Sequence, residues 1–228
     1  MVELIRGIHA ERIAANLRRI RGELEAAAAL APPRVATGEH RTAEILAATK
    51  YIALEDLPTL AEAGITLVGE NRAQDLQAKV AAHRDLFEWD FIGALQSRRV
   101  RLIAPHVRLI HSVASDSVLR ELERHEALLR PGLRVLVEVN VAGEQGKAGI
   151  TPAELDAFIA RCPVPVAGLM TMPPLSAEAE ASRPWFARLR GLAEERGLEH
   201  LSMGTSQDYR VAAEEGATIV RIGTNLYN

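Results

Sequence analysis

One cysteine in 228 residues, Cys162, leaves no second thiol to pair with it. An intrachain disulfide is excluded, and so is a cysteine metal cluster. Basic charge is not in excess either. Lys and Arg number 27 against 30 Asp and Glu, for a net charge of −3. That lacks the basic footprint of nucleic-acid binders. No apolar run approaches the roughly 20 residues of a membrane span, and the opening "MVELIRGIHAERIAANL" lacks a signal peptide's unbroken apolar core. The seven histidines are scattered, with no HExxH or other metal-ligand spacing. These absences leave a globular chain, expected in the cytoplasm, with no metal, no nucleic-acid partner and no membrane. Its 48% hydrophobic and 25% charged residues suit such a domain, and its length allows a substantial core.

What is present is an alternation. Residues 8–30 predict an amphipathic helix, with Ile13, Leu17, Ile20 and Leu24 at helical spacing between charges. A breaker-rich loop, 31–43, follows with Pro32, Pro33 and Gly38. Short apolar runs then recur at 44–49, 66–69, 89–94, 109–113, 134–141, 166–172, 200–204 and 218–223. Helix-like segments such as "LEDLPTLAEAG", "RAQDLQAKVAAH" and "TPAELDAFIARC" separate several of them. Eight strands alternating with helices read as parallel β/α units. No GxGxxG follows the first strand, which removes the usual mark of a dinucleotide-binding open sheet. The fold class expected is therefore α/β, a single (β/α)8 TIM-type barrel with an extra N-terminal helix. No second domain is expected after the eighth strand.

A closed barrel makes strand one the neighbour of strand eight, so the two ends of the sequence meet at one mouth. Lys50 is expected to end the first strand, on one face with Leu46 and Ala48. "SMGTSQD" follows the seventh strand and "RIGTN" ends the eighth. Ser206 with its neighbouring amides, and the amides beside Thr224 at Gly223, offer places for an anion. The plainer reading is that Ser206 caps a helix and Gly223 turns the chain. Alternation puts Arg221 on one face with Ile219, where it faces either a phosphate, a ring nitrogen or a structural carboxylate. A strand-end lysine is ordinarily a solvated charge. Desolvated or beside a cation, with Arg221 a candidate, it becomes a nucleophile toward a carbonyl. Aldehyde together with phosphate is what pyridoxal 5′-phosphate (PLP) presents.

Other features are weaker. Glu70 and Asn71, after strand two, either contact a ring, orient Lys50 or simply start the next helix. Glu138 and Asn140 lead into a Gly-rich loop carrying Lys147, which either covers the mouth or merely turns. Arg98, Arg99, Arg101 and Arg108 form a basic run, read chiefly as a solvated helix face.

The ordered series "AATKYI", "GENRAQDLQAK", "DFIGALQS", "VNVAGEQGKAGI", "GLMTMPP" and "LSMGTSQDYRVAAEEGATIVRIGTNLY" resembles the pyridoxal phosphate homeostasis protein family from about Ile45 to Tyr227. The resemblance implies one PLP-binding barrel over 1–228, similar to the N-terminal domain of alanine racemase. It implies PLP held as a Schiff base on Lys50, its phosphate at Ser206, Gly223 and Thr224. Arg221 would face the pyridine nitrogen, and Asn71 and Met203 would complete the surroundings. The implied role is intracellular PLP storage, buffering or delivery by a monomer, with apo PLP-dependent enzymes as recipients and no strong catalysis. A small PLP-dependent amino-acid racemase is the alternative. A colourless sugar-phosphate barrel and a purely structural Lys50 are further ones. Asp90 stands where the family usually has His, and Arg98-Arg99 where it has Asn-Lys. Neither falls in the proposed anion loops, but both put partner contacts of that segment in doubt.

Overall fold

The computed structural model describes residues 4–33 and 41–228. Most of the loop expected at 31–43 lies outside the described residues. The first helix, α1 (Ala10–Ala28), buries Ile13, Leu17, Ile20 and Leu24 on one stripe, as their spacing requires. Each such side chain contributes roughly 1.5–3 kcal/mol of gross burial. Eight strands follow: β1 (Glu44–Ala48), β2 (Leu67–Glu70), β3 (Glu88–Phe91), β4 (Leu109–Val113), β5 (Arg134–Glu138), β6 (Val166–Met170), β7 (His200–Thr205) and β8 (Ile219–Ile222). Each pairs in parallel with its neighbour in the chain, and β8 pairs back onto β1 to close the barrel. All eight expected runs became strands.

The connecting helices are α2 (Leu57–Glu62), α3 (Ala73–His83), α4 (Val100–Ile103), α5 (Asp116–Arg124), α6 (Leu155–Ala160), α7 (Arg183–Glu194), α8 (Tyr209–Glu214) and a last turn, α9 (Thr224–Tyr227). The return into β8 needs Gly216 at φ 86°. Its amide donates to Ala213 O at 3.0 Å and the next amide, Ala217, to Ala212 O at 2.9 Å. This closes α8 with a left-handed residue that only glycine adopts cheaply.

Strand alternation divides the core in two. Leu46, Leu67, Leu109, Leu136 and Ile219 form a cluster of their own inside the barrel. Their chain neighbours Ala47, Val68, Ile110, Val135 and Val220 belong to the larger layer beneath the helices. Helix α1 packs on α8 and α9. There Asn16 donates to Leu226 O at 3.1 Å and Asn228 O at 2.9 Å, while Glu23 accepts from Tyr209 and Arg210. No helix among the described residues is long and apolar enough to cross a membrane.

Candidate functional site at the barrel mouth

The C-terminal ends of the strands bring Lys50, Asn71, Glu138, Ser206, Arg221, Gly223 and Thr224 to the same end of the barrel. Lys50 does not end the strand. β1 stops at Ala48, and Lys50 lies in the turn that Ile52 N closes onto Thr49 O at 2.9 Å. It is exposed, with Nζ 4.6 Å from the centre of the Tyr51 ring. Thr49 itself is fully buried. It donates through Oγ1 to Glu70 at 2.7 Å, and its carbonyl accepts from Lys79 Nζ at 2.7 Å. Glu70 closes β2 and pairs with Lys79. Glu70 thus grips the residue before Lys50, and the helix begins only at Ala73.

Arg221 is 6% exposed, inside the barrel as alternation expected. Nη1 donates to Ser202 O at 2.8 Å and to Ser202 Oγ. Nη2 donates to Thr171 O and to Met172 Sδ, both at 3.0 Å. A guanidinium has five N–H groups. The four on Nη1 and Nη2 go toward β7 and the end of β6, and Nε–H has no protein acceptor among the described residues. Arg221 pairs with Leu46 in the β1–β8 register, four residues before Lys50. The four N–H groups with protein partners therefore point to the other side of β8 from β1, toward β7 and the end of β6. Burial pushes its pKa down to about 10, against the fields of Asp208 and Glu138, so it remains a cation at neutral pH.

The loops after β7 and β8 meet, though not as a helix cap. Helix α8 begins at Tyr209, with Asp208 preceding it, so Ser206 is outside the helix. Ser206 Oγ instead accepts from Gly223 N at 3.1 Å, and Asn225 Nδ2 donates to Ser206 O at 2.7 Å. Asp208 accepts from Thr205 N at 2.7 Å and from Ser182 Oγ at 2.9 Å, which anchors the strand-to-helix turn. Gly223 faces Ala48 loosely: a Cβ added there would stand 3.9 Å from that of Ala48. Thr224 is exposed, opening α9. The Tyr227 hydroxyl donates to Ala48 O at 3.1 Å and ties this end of the chain to β1.

Glu138 is buried at the end of β5. Burial raises its pKa despite the fields of Arg221 and Lys147. The following loop is tied down: Asn140 Nδ2 donates to Glu144 O at 2.8 Å, and Lys147 Nζ to Pro173 O at 3.0 Å. Asn71 Oδ1 is buried without a partner among the described residues. An Arg221 N–H without a protein acceptor and small residues at Ala48 and Gly223 suit a flat ligand that presents an acceptor, such as PLP, while the orphaned Asn71 oxygen calls for a donor on it.

Met203 is placed elsewhere. It is fully buried in the layer under the helices, next in the chain to the inward Ser202, so its side chain does not reach the mouth. Arg108 also departs from its expected solvated helix face. It lies just before β4 and forms a two-pronged pair with Asp90, Nε to Oδ1 at 3.1 Å and Nη2 to Oδ2 at 3.0 Å. Arg98 and Arg101 are exposed, as expected of that run. Sequence reasoning passed over Lys79, Ser202, Thr171 and His111. The signal for Lys79 was a lysine three residues after Leu76 on the buried face of α3. For His111 it was a polar residue in phase with Leu109 in a strand that is otherwise apolar but for Ser112.

Residues 8–228 match the family model of the alanine racemase N-terminal domain. A pyridoxal phosphate homeostasis protein of Aquifex aeolicus is 40% identical over 228 residues, 95% of this chain and 96% of that one. PipY of Synechococcus elongatus, solved with PLP bound, superposes with a TM-score of 0.76 at 29% identity, covering 95% of this chain and all of that one. The alanine racemase of Corynebacterium glutamicum shares the fold, with a TM-score of 0.67 at 16% identity; the match spans all of this chain and 63% of that one. Together with a closed eight-stranded barrel, these likenesses place the chain in the alanine racemase N-terminal domain family, among the pyridoxal phosphate homeostasis proteins.

Proposed function

We propose that this protein is one barrel domain over 1–228 that binds PLP at the mouth through Lys50 and stores, buffers or delivers it in the cytoplasm. The carrying observation is Arg221: four N–H groups are spent on the protein, and Nε–H is without a protein acceptor among the described residues. A buried cation so arranged offers one directed donor, which suits the ring nitrogen. Lys50 supplies the amine from a turn held by Thr49, Glu70 and Lys79. Ser206, Gly223 and Thr224 would take the phosphate, the Gly223 amide turning from Ser206 Oγ to the anion. Asn71 would use its unpartnered Oδ1 at the ring. Met203 contributes only by packing the strand behind the site.

When bound, PLP supplies an aldehyde that links reversibly to an amine and a conjugated ring that draws electrons. Arg221 limits the second property. A guanidinium donates and does not accept, so the ring nitrogen beside it stays unprotonated and withdraws electrons weakly. Holding the aldehyde is favoured over carbanion chemistry. The likeness to pyridoxal phosphate homeostasis proteins supports the rest of the role, a monomer handing PLP to apo-enzymes.

The test is the absorption spectrum of purified protein given PLP, before and after borohydride, with Lys50→Ala alongside. A yellow band abolished by borohydride, with the added mass on Lys50 and none in the variant, is expected. A wild-type protein that stays colourless refutes the reading. Amino-acid α-proton exchange in deuterated water that disappears in Lys50→Ala refutes its non-catalytic part.

A further inference from the structure

A line of buried polar side chains crosses the barrel interior from the mouth to its opposite face. Arg221 donates from Nη1 to Ser202 Oγ. Ser202 Oγ lies 2.8 Å from His111 Nδ1, and His111 Nε2 lies 3.1 Å from Asp90 Oδ2. Asp90 takes both prongs of Arg108, whose Nη2 also reaches Glu44 Oε2 at 3.0 Å, at the first residue of β1. Ser202, His111 and Asp90 are fully buried, while Arg108 and Glu44 are partly exposed. The members come from β8, β7, β4, β3 and β1, with Arg108 just before β4.

The chemistry of the groups sets the direction of every bond. Asp90 faces Arg108 and, as a carboxylate, only accepts. His111 Nε2 must then carry the proton. A neutral imidazole so protonated presents a bare Nδ1, which accepts from the Ser202 hydroxyl. With its hydrogen committed, Ser202 Oγ offers lone pairs to Arg221, which only donates. The hydrogen bonds thus run one way, from Arg221 through Ser202 and His111 to Asp90, with Arg108 meeting them there. Burial and the cations Arg221 and Arg108 oppose a second proton on His111 despite Asp90.

We infer that Ser202, His111 and Asp90 are positioning residues for Arg221, fixing its guanidinium so that the one uncommitted N–H meets the ring nitrogen of PLP. This rests on the proposed PLP site. It also gives Asp90, where the family usually has His, a specific task. An ionised carboxylate in the third place of the chain selects the His111 tautomer that lets Ser202 receive Arg221. Asn at that position would turn its oxygen to Arg108 and its amide to His111. That reverses the tautomer, makes His111 Nδ1–H compete with Arg221 for the Ser202 oxygen, and weakens the hold on Arg221.

The experiment is long-range 1H–15N correlation of histidine-labelled protein, without PLP and with it. It is run beside the rate of PLP release in wild type, Asp90→Asn, Ser202→Ala and Ser202→Thr. The expected wild-type signature is a proton on His111 Nε2 and none on Nδ1. In Asp90→Asn the two exchange. PLP release should quicken about tenfold in Asp90→Asn and Ser202→Ala, and return toward wild type in Ser202→Thr, which restores the hydroxyl. A doubly protonated or Nδ1-protonated His111 in the wild type overturns the chain's direction, and that measurement needs no variant to fold. Unchanged release in a folded Ser202→Ala overturns the positioning role. Wild-type protein that takes up no PLP refutes the proposed site and the positioning role with it, and the His111 tautomer then still decides whether the chain is built as described.

Discussion

Lys79 of α3 donates its ammonium to the carbonyl of Thr49 at 2.7 Å, one residue before Lys50. One lysine, 6% exposed, thus anchors the turn that carries the other. Its charge is balanced by Glu70, which has no exposure at all. Removing one partner of a buried pair leaves the other uncompensated, so Lys79→Met should cost about 3–5 kcal/mol. Lys79→Met combined with Glu70→Gln should recover much of it, because the unpaired charge is gone. Urea unfolding of the singles and the double decides. A single variant as stable as wild type would show that the pair does not hold this turn.

Two glycines should respond oppositely to alanine. A Cβ at Gly93 would stand 2.1 Å from the Asn71 carbonyl oxygen, a backbone atom that cannot swing aside. Gly93→Ala is expected to destabilise by about 1–3 kcal/mol and to displace Asn71 from the mouth. Gly22 lies within α1, exposed, with nothing within 4 Å of its would-be Cβ. Gly22→Ala should stabilise by about 0.5–1 kcal/mol through helix propensity. Thermal or urea midpoints of the two variants check both signs.

His200 predicts an acid-sensitive core. Burial pushes its pKa from 6.5 down to about 4 against the field of Glu199, with Arg134 adding to the fall. Arg134 Nη2 donates to Nε2 at 3.2 Å, which requires that nitrogen bare. The native imidazole thus stays neutral down to about pH 4, while the unfolded chain takes a proton below its ordinary pKa of 6.5. Stability from this group is complete above 6.5 and drains as pH falls toward 4, by up to about 3 kcal/mol. Urea midpoints measured across that window should fall in wild type and fall less in His200→Gln. Parallel slopes would assign the acid sensitivity to other groups.

Much of the fold was legible because its signals are local. Apolar runs such as "LIHSV" and "TIVRIG" carry strand periodicity in four to six residues, and Ile13, Leu17, Ile20 and Leu24 mark α1 by spacing alone. Eight such runs separated by helices leave few closed architectures, and closure itself puts β8 beside β1. The inward face of Arg221 follows from its phase with Ile219. Met203 shows where a family motif and strand phase part. Its residues are adjacent in sequence to the site, yet alternation sends its side chain to the helix layer.

The sequence by itself therefore determined the elements, their parallel order and the end of the barrel at which Lys50, Ser206, Arg221 and Gly223 gather. Those follow from side-chain periodicity and the polarity of β/α units, which are properties of short stretches. Only the tertiary structure decided which polar groups meet. Lys79 reaches Thr49 across 30 residues, His111 reaches Ser202 across 91, and Asn16 reaches Asn228 across 212. A hydrogen bond acts over about 3 Å, and contacts between segments so distant in the chain exist only once the barrel has closed.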